Sequence, residues 1–349
     1  MPPVRLRTAL LLSAVLVLLA TGGCRSVVPV PTADAPSSPP STELRQRIVV
    51  LVHGDASYLY HSPDGTAHQA DEETLREAFA AARALPQAEV FVVHLRPHDP
   101  LLGLIPRDDG TLYHFRRGRL HHQTTYDQSR DTTFTAEASL LRQHRAPVPD
   151  STLFTAALYY GHAVPERPRP GYHRSRPDVP FGVDDLAHGL DRLADDAFDA
   201  LVLSTCDGGT PHTVAALASQ ARSLLASPGD LHLSFLDADL LPDLPTASPS
   251  AWTGRFAEHA HERLTGRVET AVTLAAYDLR RAAPTARTLA QTVPIDTSTA
   301  PTGGRHVDCR RVLNAPVDTA GVRVWHRPAR FGPQADHTTH SGWGCTRPK

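Results

Sequence analysis

The 349-residue chain reads as an α/β protein, a three-layer sandwich in which helices cover both faces of a mainly parallel sheet. Three observations predict this. Short apolar, β-branched runs recur along the chain, beginning with Arg47 to His53 (RIVVLVH). Amphipathic helical stretches alternate with them. The runs are apolar throughout instead of alternating with polar residues, which marks strands covered on both sides.

After Arg47 to His53, the acids that open Asp71 to Ala84 and the apolar spacing that follows predict a helix with Asp71 as N-cap. Glu89 to Leu95 (EVFVVHL) predicts a second strand. Leu112 to Thr125 predicts a hairpin turning at Arg117-Gly118, and Thr135 to His144 a helix. Leu153 to Tyr160 is a third strand that runs into Gly161-His162. A Pro/Arg-rich loop spans Val164 to Pro180, followed by an amphipathic helix from Val183 to Ala197. Ala200 to Thr205 is a fourth strand ending at Cys206, with Gly208 and Gly209 behind it and a helix expected from Thr210 to Ala226. Leu231 to Leu236 and Val272 to Tyr277 complete the strands, with a helix from Trp252 to Leu264 between them. From Ala283 onward Pro, Thr and Arg dominate, predicting irregular structure.

The start of the chain has its own logic. Arg5 and Arg7 precede an apolar run from Thr8 to Ala20, too short to cross a hydrocarbon core of about 30 Å. Small residues then lead to Cys24. This resembles the bacterial lipoprotein signal, with Thr21 where Leu is more usual; an ordinary cleaved leader is the competing reading. The resemblance implies cleavage before Cys24, acylation of that residue, and an exported, membrane-anchored protein. The organisation expected is a signal peptide over 1–23, a Pro/Ser-rich tether over 24–45, an α/β domain over 46–282 and a C-terminal segment over 283–349. The net charge of −2 comes without a basic block, so nucleic acid is not an expected partner.

Of the four cysteines, Cys309 and Cys345 lie in the C-terminal stretch, where a bridge would be worth roughly 4 kcal/mol by chain entropy. With Cys24 acylated, Cys206 is then an unpaired thiol in an oxidising compartment. In open α/β sheets function gathers at the carboxyl ends of strands. There, two successive strands end in His162 and Cys206, the pair that a thiol nucleophile and its proton carrier require. A helix starting near Thr210 would favour the thiolate, and the glycines after Cys206 would admit substrate backbone.

The stretches LYYGH (Leu158 to His162) and LVLSTCDGG (Leu201 to Gly209), in this order and spacing, resemble the caspase–clostripain–legumain group of cysteine peptidases. The resemblance covers about Arg47 to Tyr277 and implies the caspase–hemoglobinase fold and hydrolysis of peptides or proteins. It gives Cys206 the role of nucleophile and His162 that of general acid–base, with an oxyanion held by backbone N–H groups of Cys206, Gly208 and the Gly161–Ala163 segment. It implies no metal or other cofactor for the chemistry, although some relatives bind calcium. Two positions depart from the family pattern. Ala163 stands where a glycine usually follows the histidine. Ser204 stands where the clostripain type has an acid, so an arginine preference does not carry over.

Two other classes fit parts of the sequence. Ser204-x-Cys206-x-Gly208 also matches the nucleophile elbow of α/β-hydrolases, with LVHG at Leu51 to Gly54 as the oxyanion segment. That esterase reading needs Asp237 or Asp239 with His259 or His261. A binding or scaffolding lipoprotein could instead retain a peptidase fold with a vestigial Cys206. His53-Gly54-Asp55 with His61 and Asp64 lacks metal-ligand spacing and reads as loop. His121-His122 reads as surface, Trp325 and Trp343 as packing residues. Asp184 and Asp185 read as partners of a helix dipole or as groove lining.

Overall fold

The computed structural model describes residues 43–53, 59–61, 64–96, 110–127, 131–173, 178–231, 237–293 and 306–346. The leader, Cys24, most of the tether, Gly54, Asp55 and all but Leu231 of the strand expected from Leu231 to Leu236 lie outside them. In chain order the elements begin with β1 (Gln46–His53), whose residues from Arg47 on are all buried, and the short ladder of β2 (Leu59–His61) and β3 (Ala67–Gln69). Helix α1 (Ala70–Ala84) has Gln69 and not Asp71 at its N-cap position, with no side-chain cap. Asp71, Glu72 and Glu73 occupy its first turn, where carboxylates meet the positive end of the helix. Strand β4 (Ala88–Leu95) is buried end to end. Strands β5 (Gly110–Arg116) and β6 (Arg119–Tyr126) form the expected hairpin, whose Arg117 and Gly118 both take positive φ (55° and 74°), as a two-residue turn requires.

Helix α2 (Thr135–His144) leads to β7 (Phe154–Tyr160), and α3 (Val183–Leu193) to β8 (Phe198–Ser204). The helix expected from Thr210 to Ala226 is instead the short α4 (Pro211–Ala216) followed by strand β9 (Ala221–Ala226). Alanine and leucine favour helix locally, but this segment fills the slot between two strands and is buried except at Arg222, so tertiary pairing decides. Beyond it come α5 (Pro249–Arg267), capped by Ser248, and β10 (Val272–Asp278). The C-terminal part is more regular than its composition predicts. It holds α6 (Leu279–Thr292), which runs across the boundary drawn at 282/283, then β11 (His306–Asp308), α7 (Cys309–Leu313), β12 (Val322–Arg327) and β13 (Gly344–Thr346).

Nine of these strands form one sheet in the order β12-β10-β9-β8-β7-β1-β4-β5-β6. The run from β4 through β1, β7 and β8 to β9 is parallel; the margins are antiparallel. The chain moves from β1 to β4 in one direction and from β7 through β8 to β9 in the other. Right-handed crossovers therefore put their helices on opposite faces. On one face Arg263 of α5 meets Glu77 of α1 at 3.0 Å; on the other α2 packs on α3, α3 on α4, and α4 on α6. This is the three-layer sandwich that the sequence predicts. Among the described residues no helix is long and apolar enough to cross a membrane.

The amino ends of β1 and β4 are tied by a buried charge network. The Glu89 side chain is fully buried and accepts from Arg47 Nε (2.8 Å), Arg116 Nη2 (3.0 Å) and the Ala146 N–H (2.8 Å), while His114 Nε2 lies 3.0 Å away. Arg47 also meets Asp150. Burial alone would raise the Glu89 carboxyl, but these partners outweigh it and hold the group at about 2. A carboxyl depressed in the folded state stabilises fully above its unfolded value of about 4.3, and that stability is lost as pH falls toward 2. Urea unfolding between pH 5 and pH 2 should therefore show about 3 kcal/mol less loss in Glu89→Gln than in the wild type. At neutral pH the same substitution, which leaves buried Arg47 with Asp150 alone and Arg116 facing a neutral amide, should cost about 3–5 kcal/mol.

Candidate active site

Strands β7 and β8 are parallel neighbours, in register from Ala156 opposite Ala200 to Tyr160 opposite Ser204. Two residues beyond the last pair, one strand delivers His162 and the other Cys206. Both leave the sheet at the same edge, His162 exposed and Cys206 half-buried. The Gly161 N–H continues the ladder by donating to the Ser204 carbonyl at 3.4 Å. That removes Gly161 from the expected oxyanion donors. Among the described residues no backbone carbonyl accepts from Ala163, Cys206 or Gly208.

The loop after Cys206 is bound tightly on its far side. Parallel pairing continues past β9: Asp207 N–H donates to Gly229 O (3.0 Å) and Gly209 N–H to Ser227 O (2.8 Å). Asp207 adopts a left-handed φ of 56° to make the bend. Gly208 and Gly209 are buried, so they do not admit substrate as expected. A side chain at Gly208 would press on Leu203, and one at Gly209 would collide with Tyr277 and Pro228.

The strap of Pro228 to Leu231 also covers the thiol. Cys206 Sγ accepts from the Leu231 N–H at 3.2 Å and donates to the Leu231 carbonyl at 3.4 Å. Burial pushes the thiol up to about 11; the carboxylates of Asp207 and Asp230 add to this, and the Leu231 N–H offsets only part. The expected support from a helix terminus is missing. Thr210 Oγ1 already accepts from the Thr213 N–H at 3.2 Å, and Pro211 has no N–H to offer.

A cavity of about 460 Å³ opens beside the strap, lined in part by Asp230, Leu231, His306, His326 and His340. His306 Nδ1 lies 3.1 Å from Asp207 Oδ1. The C-terminal segment closes the far wall of the Cys206 loop. Gly344 N–H donates to Gly209 O at 3.1 Å, and Tyr277 hydroxyl bonds Gly342 O and, at 3.3 Å, Gly209 O. The Cys309–Cys345 disulfide, buried at both ends, fastens α7 to β13. Sequence reasoning missed the strap and this wall. The one signal was the Gly342-Trp343-Gly344-Cys345 run inside an otherwise Pro- and Thr-rich tail.

Other candidates resolve into structural roles. Asp237, Asp239 and His259 bring potential ligand atoms within 4.8 Å of one another, but the Arg263 guanidinium pairs with Asp237 and lies 3.5 Å from Asp239. A cation is thus already in place. The α/β-hydrolase reading needed these same residues as triad partners and does not survive the fold. In an elbow the strained residue is the nucleophile; here the left-handed residue is Asp207. Asp185 caps α3 by accepting from the Gly182 N–H at 2.9 Å, whereas Asp184 is exposed. His122 stacks on His144 at 3.9 Å. Trp343 is fully buried against Tyr277, and Trp325 lies under Arg323.

No family model matches the chain, and no curated protein does. Several solved structures are similar, among them the following two. One is an inactive zymogen of a C11 protease from Parabacteroides distasonis, at 13% identity and TM-score 0.55, covering 89% of this chain and 94% of that one. The other is a secreted C11 cysteine protease from Bacteroides thetaiotaomicron bound to an irreversible peptide inhibitor, at 12% identity and TM-score 0.56, covering 87% and 89%. At such identities the likeness is one of fold: this chain has the caspase-like fold of the C11, clostripain-like, cysteine proteases.

Proposed function

We propose that the protein is a cysteine endopeptidase, exported and lipid-anchored through Cys24, with Cys206 as nucleophile and His162 as general acid–base. The observation that carries this reading is the parallel β7–β8 register, which puts His162 and Cys206 each two residues past its last pair within a C11-like fold. The thiol is protonated at rest, so His162 takes its proton as sulfur attacks the scissile carbonyl. The new C–S bond places negative charge on the carbonyl oxygen, facing the N–H groups of Ala163 and Cys206. His162 then gives the proton to the leaving amine as the C–N bond breaks. Water, deprotonated by His162, releases the acyl group from sulfur. Substrate must first displace the Leu231 strap from Sγ, so the resting site is closed.

The same closure favours a second reading, a binding lipoprotein with a vestigial cysteine. A thiol held at about 11 and bonded twice to Leu231 is what an inert residue would show.

Cleavage of a peptide library separates the two. The wild type should hydrolyse a subset of peptides, and Cys206→Ala and His162→Ala should each lower turnover by about 10³-fold or more. Library peptides left intact by the wild type, or equal turnover in either variant, would remove the peptidase reading. Iodoacetamide labelling of Cys206 should rise with pH toward a midpoint near 11, and Asp230→Asn should move that midpoint down by removing a nearby negative charge; a midpoint at or below the ordinary thiol range of about 8.5 contradicts the closed site. Cys24→Ser should transfer the protein from the membrane fraction to the soluble fraction, and unchanged fractionation would refute the anchor.

A further inference from the structure

One aromatic group beside the proposed dyad has no part in it so far. Tyr172 lies in the loop between β7 and α3, its ring stacked on Phe181 (centroids 4.9 Å, 24° between planes) and on His53 (5.6 Å, 21°). Its hydroxyl stands 2.8 Å from the Tyr159 hydroxyl and donates to the His162 carbonyl at 3.3 Å. The Tyr159 side chain is fully buried, and its hydroxyl also lies 2.8 Å from His53 Nδ1. Each phenol has one proton, and a carbonyl can only accept. The chain therefore has one consistent direction: His53 Nδ1–H to Tyr159, Tyr159 to Tyr172, Tyr172 to the oxygen of His162.

That oxygen belongs to the peptide whose other end is the Ala163 N–H. A trans peptide is planar, with its C=O and N–H pointing opposite ways. Holding the oxygen on one side aims the N–H to the other. We propose that Tyr172 is a positioning residue that sets the plane of the His162–Ala163 peptide and so aims the Ala163 N–H at the oxyanion. This inference rests on the peptidase reading above. It also gives Gly161 a purpose, since a Cβ there would come within 3.1 Å of the Tyr159 ring and 3.3 Å of the Tyr172 hydroxyl. The bare backbone at 161 leaves the hydroxyl its path to the next carbonyl.

The test separates oxyanion chemistry from thiol chemistry in the full-length protein. Iodoacetamide alkylation displaces iodide from a methylene carbon and forms no oxyanion, whereas peptide hydrolysis forms one. Tyr172→Phe keeps both ring stacks and removes only the hydroxyl. With the best-cleaved library peptide, its kcat should fall about 10- to 100-fold with KM changed by less than about 2-fold, because one oxyanion donor is mis-aimed and not deleted. The rate and pH profile of Cys206 labelling should match the wild type. Tyr159→Phe should give a smaller loss of kcat, and combining it with Tyr172→Phe should add nothing further. Wild-type kcat in Tyr172→Phe overturns the proposal. A parallel loss of labelling and turnover also overturns it, since that signals general damage to the dyad. If Tyr172→Phe fails to fold, Gly161→Ala, which displaces the hydroxyl without deleting it, must lower kcat with labelling intact or the proposal falls. A wild type that cleaves no peptide defeats the peptidase reading and this inference together; a defect absent only from Tyr172→Phe defeats this inference alone.

Discussion

Pairing of β7 with β8 in a single register decides what the candidate site contains. A slip of one residue would turn every side chain of a strand to the opposite face and take His162 or Cys206 off the shared edge. The register is locked at the other end of the same two strands. There the Thr155 N–H donates to Asp199 Oδ2 at 2.9 Å, and the Asp199 N–H donates to Thr155 Oγ1 at 3.2 Å. These reciprocal bonds cannot form in a shifted pairing. Between clamp and site, the strands carry buried apolar residues such as Ala156, Leu158, Leu201 and Leu203, which packs both faces against helices.

The reversal in sheet order supplies the second ingredient. The chain leaves β1 for β4 on one side and returns to β7 on the other, and such switch points open a crevice at the carboxyl ends of strands. In this protein the aromatic groups of His53, Tyr159, Tyr172, His173 and Phe181 occupy that place, so the crevice nearest β1 is filled with packed rings. Open space lies instead beyond β8, next to the strap and the histidine-lined cavity. The accessible cavity thus lies toward the margin of the sheet that the C-terminal segment completes.

Much of this was legible in the sequence. Uninterrupted apolar runs such as IVVLV and FVVHL identified central strands because burial on both faces leaves no polar alternation to confuse the pattern. His162 and Cys206 stood out because each follows such a run directly. The misread parts have physical causes. Ala221 to Ala226 has helix-favouring composition and becomes a strand only because two neighbours offer it a ladder. With β9 taken for helix, Pro228 to Leu231 could not be recognised as the carboxyl end of a strand beside Cys206, so the closed thiol was not foreseen. The tail misled differently: β12 is an edge strand, only partly buried, and its mixed polar composition follows from that exposure.

The junction between Gly209 and Gly344 has a consequence for biosynthesis. As a ribosome delivers the chain, β7, β8 and their register clamp emerge long before the segment that backs the cysteine loop. Pro228 and Gly344 approach so closely that no side chain fits at residue 344, and Tyr277 reaches both Gly209 and Gly342. The Cys206 loop therefore takes its final shape only when this later-made C-terminal segment docks and Cys309 and Cys345 are oxidised together. Until then a nascent chain carries both side chains of the proposed dyad without the wall that fixes one of them.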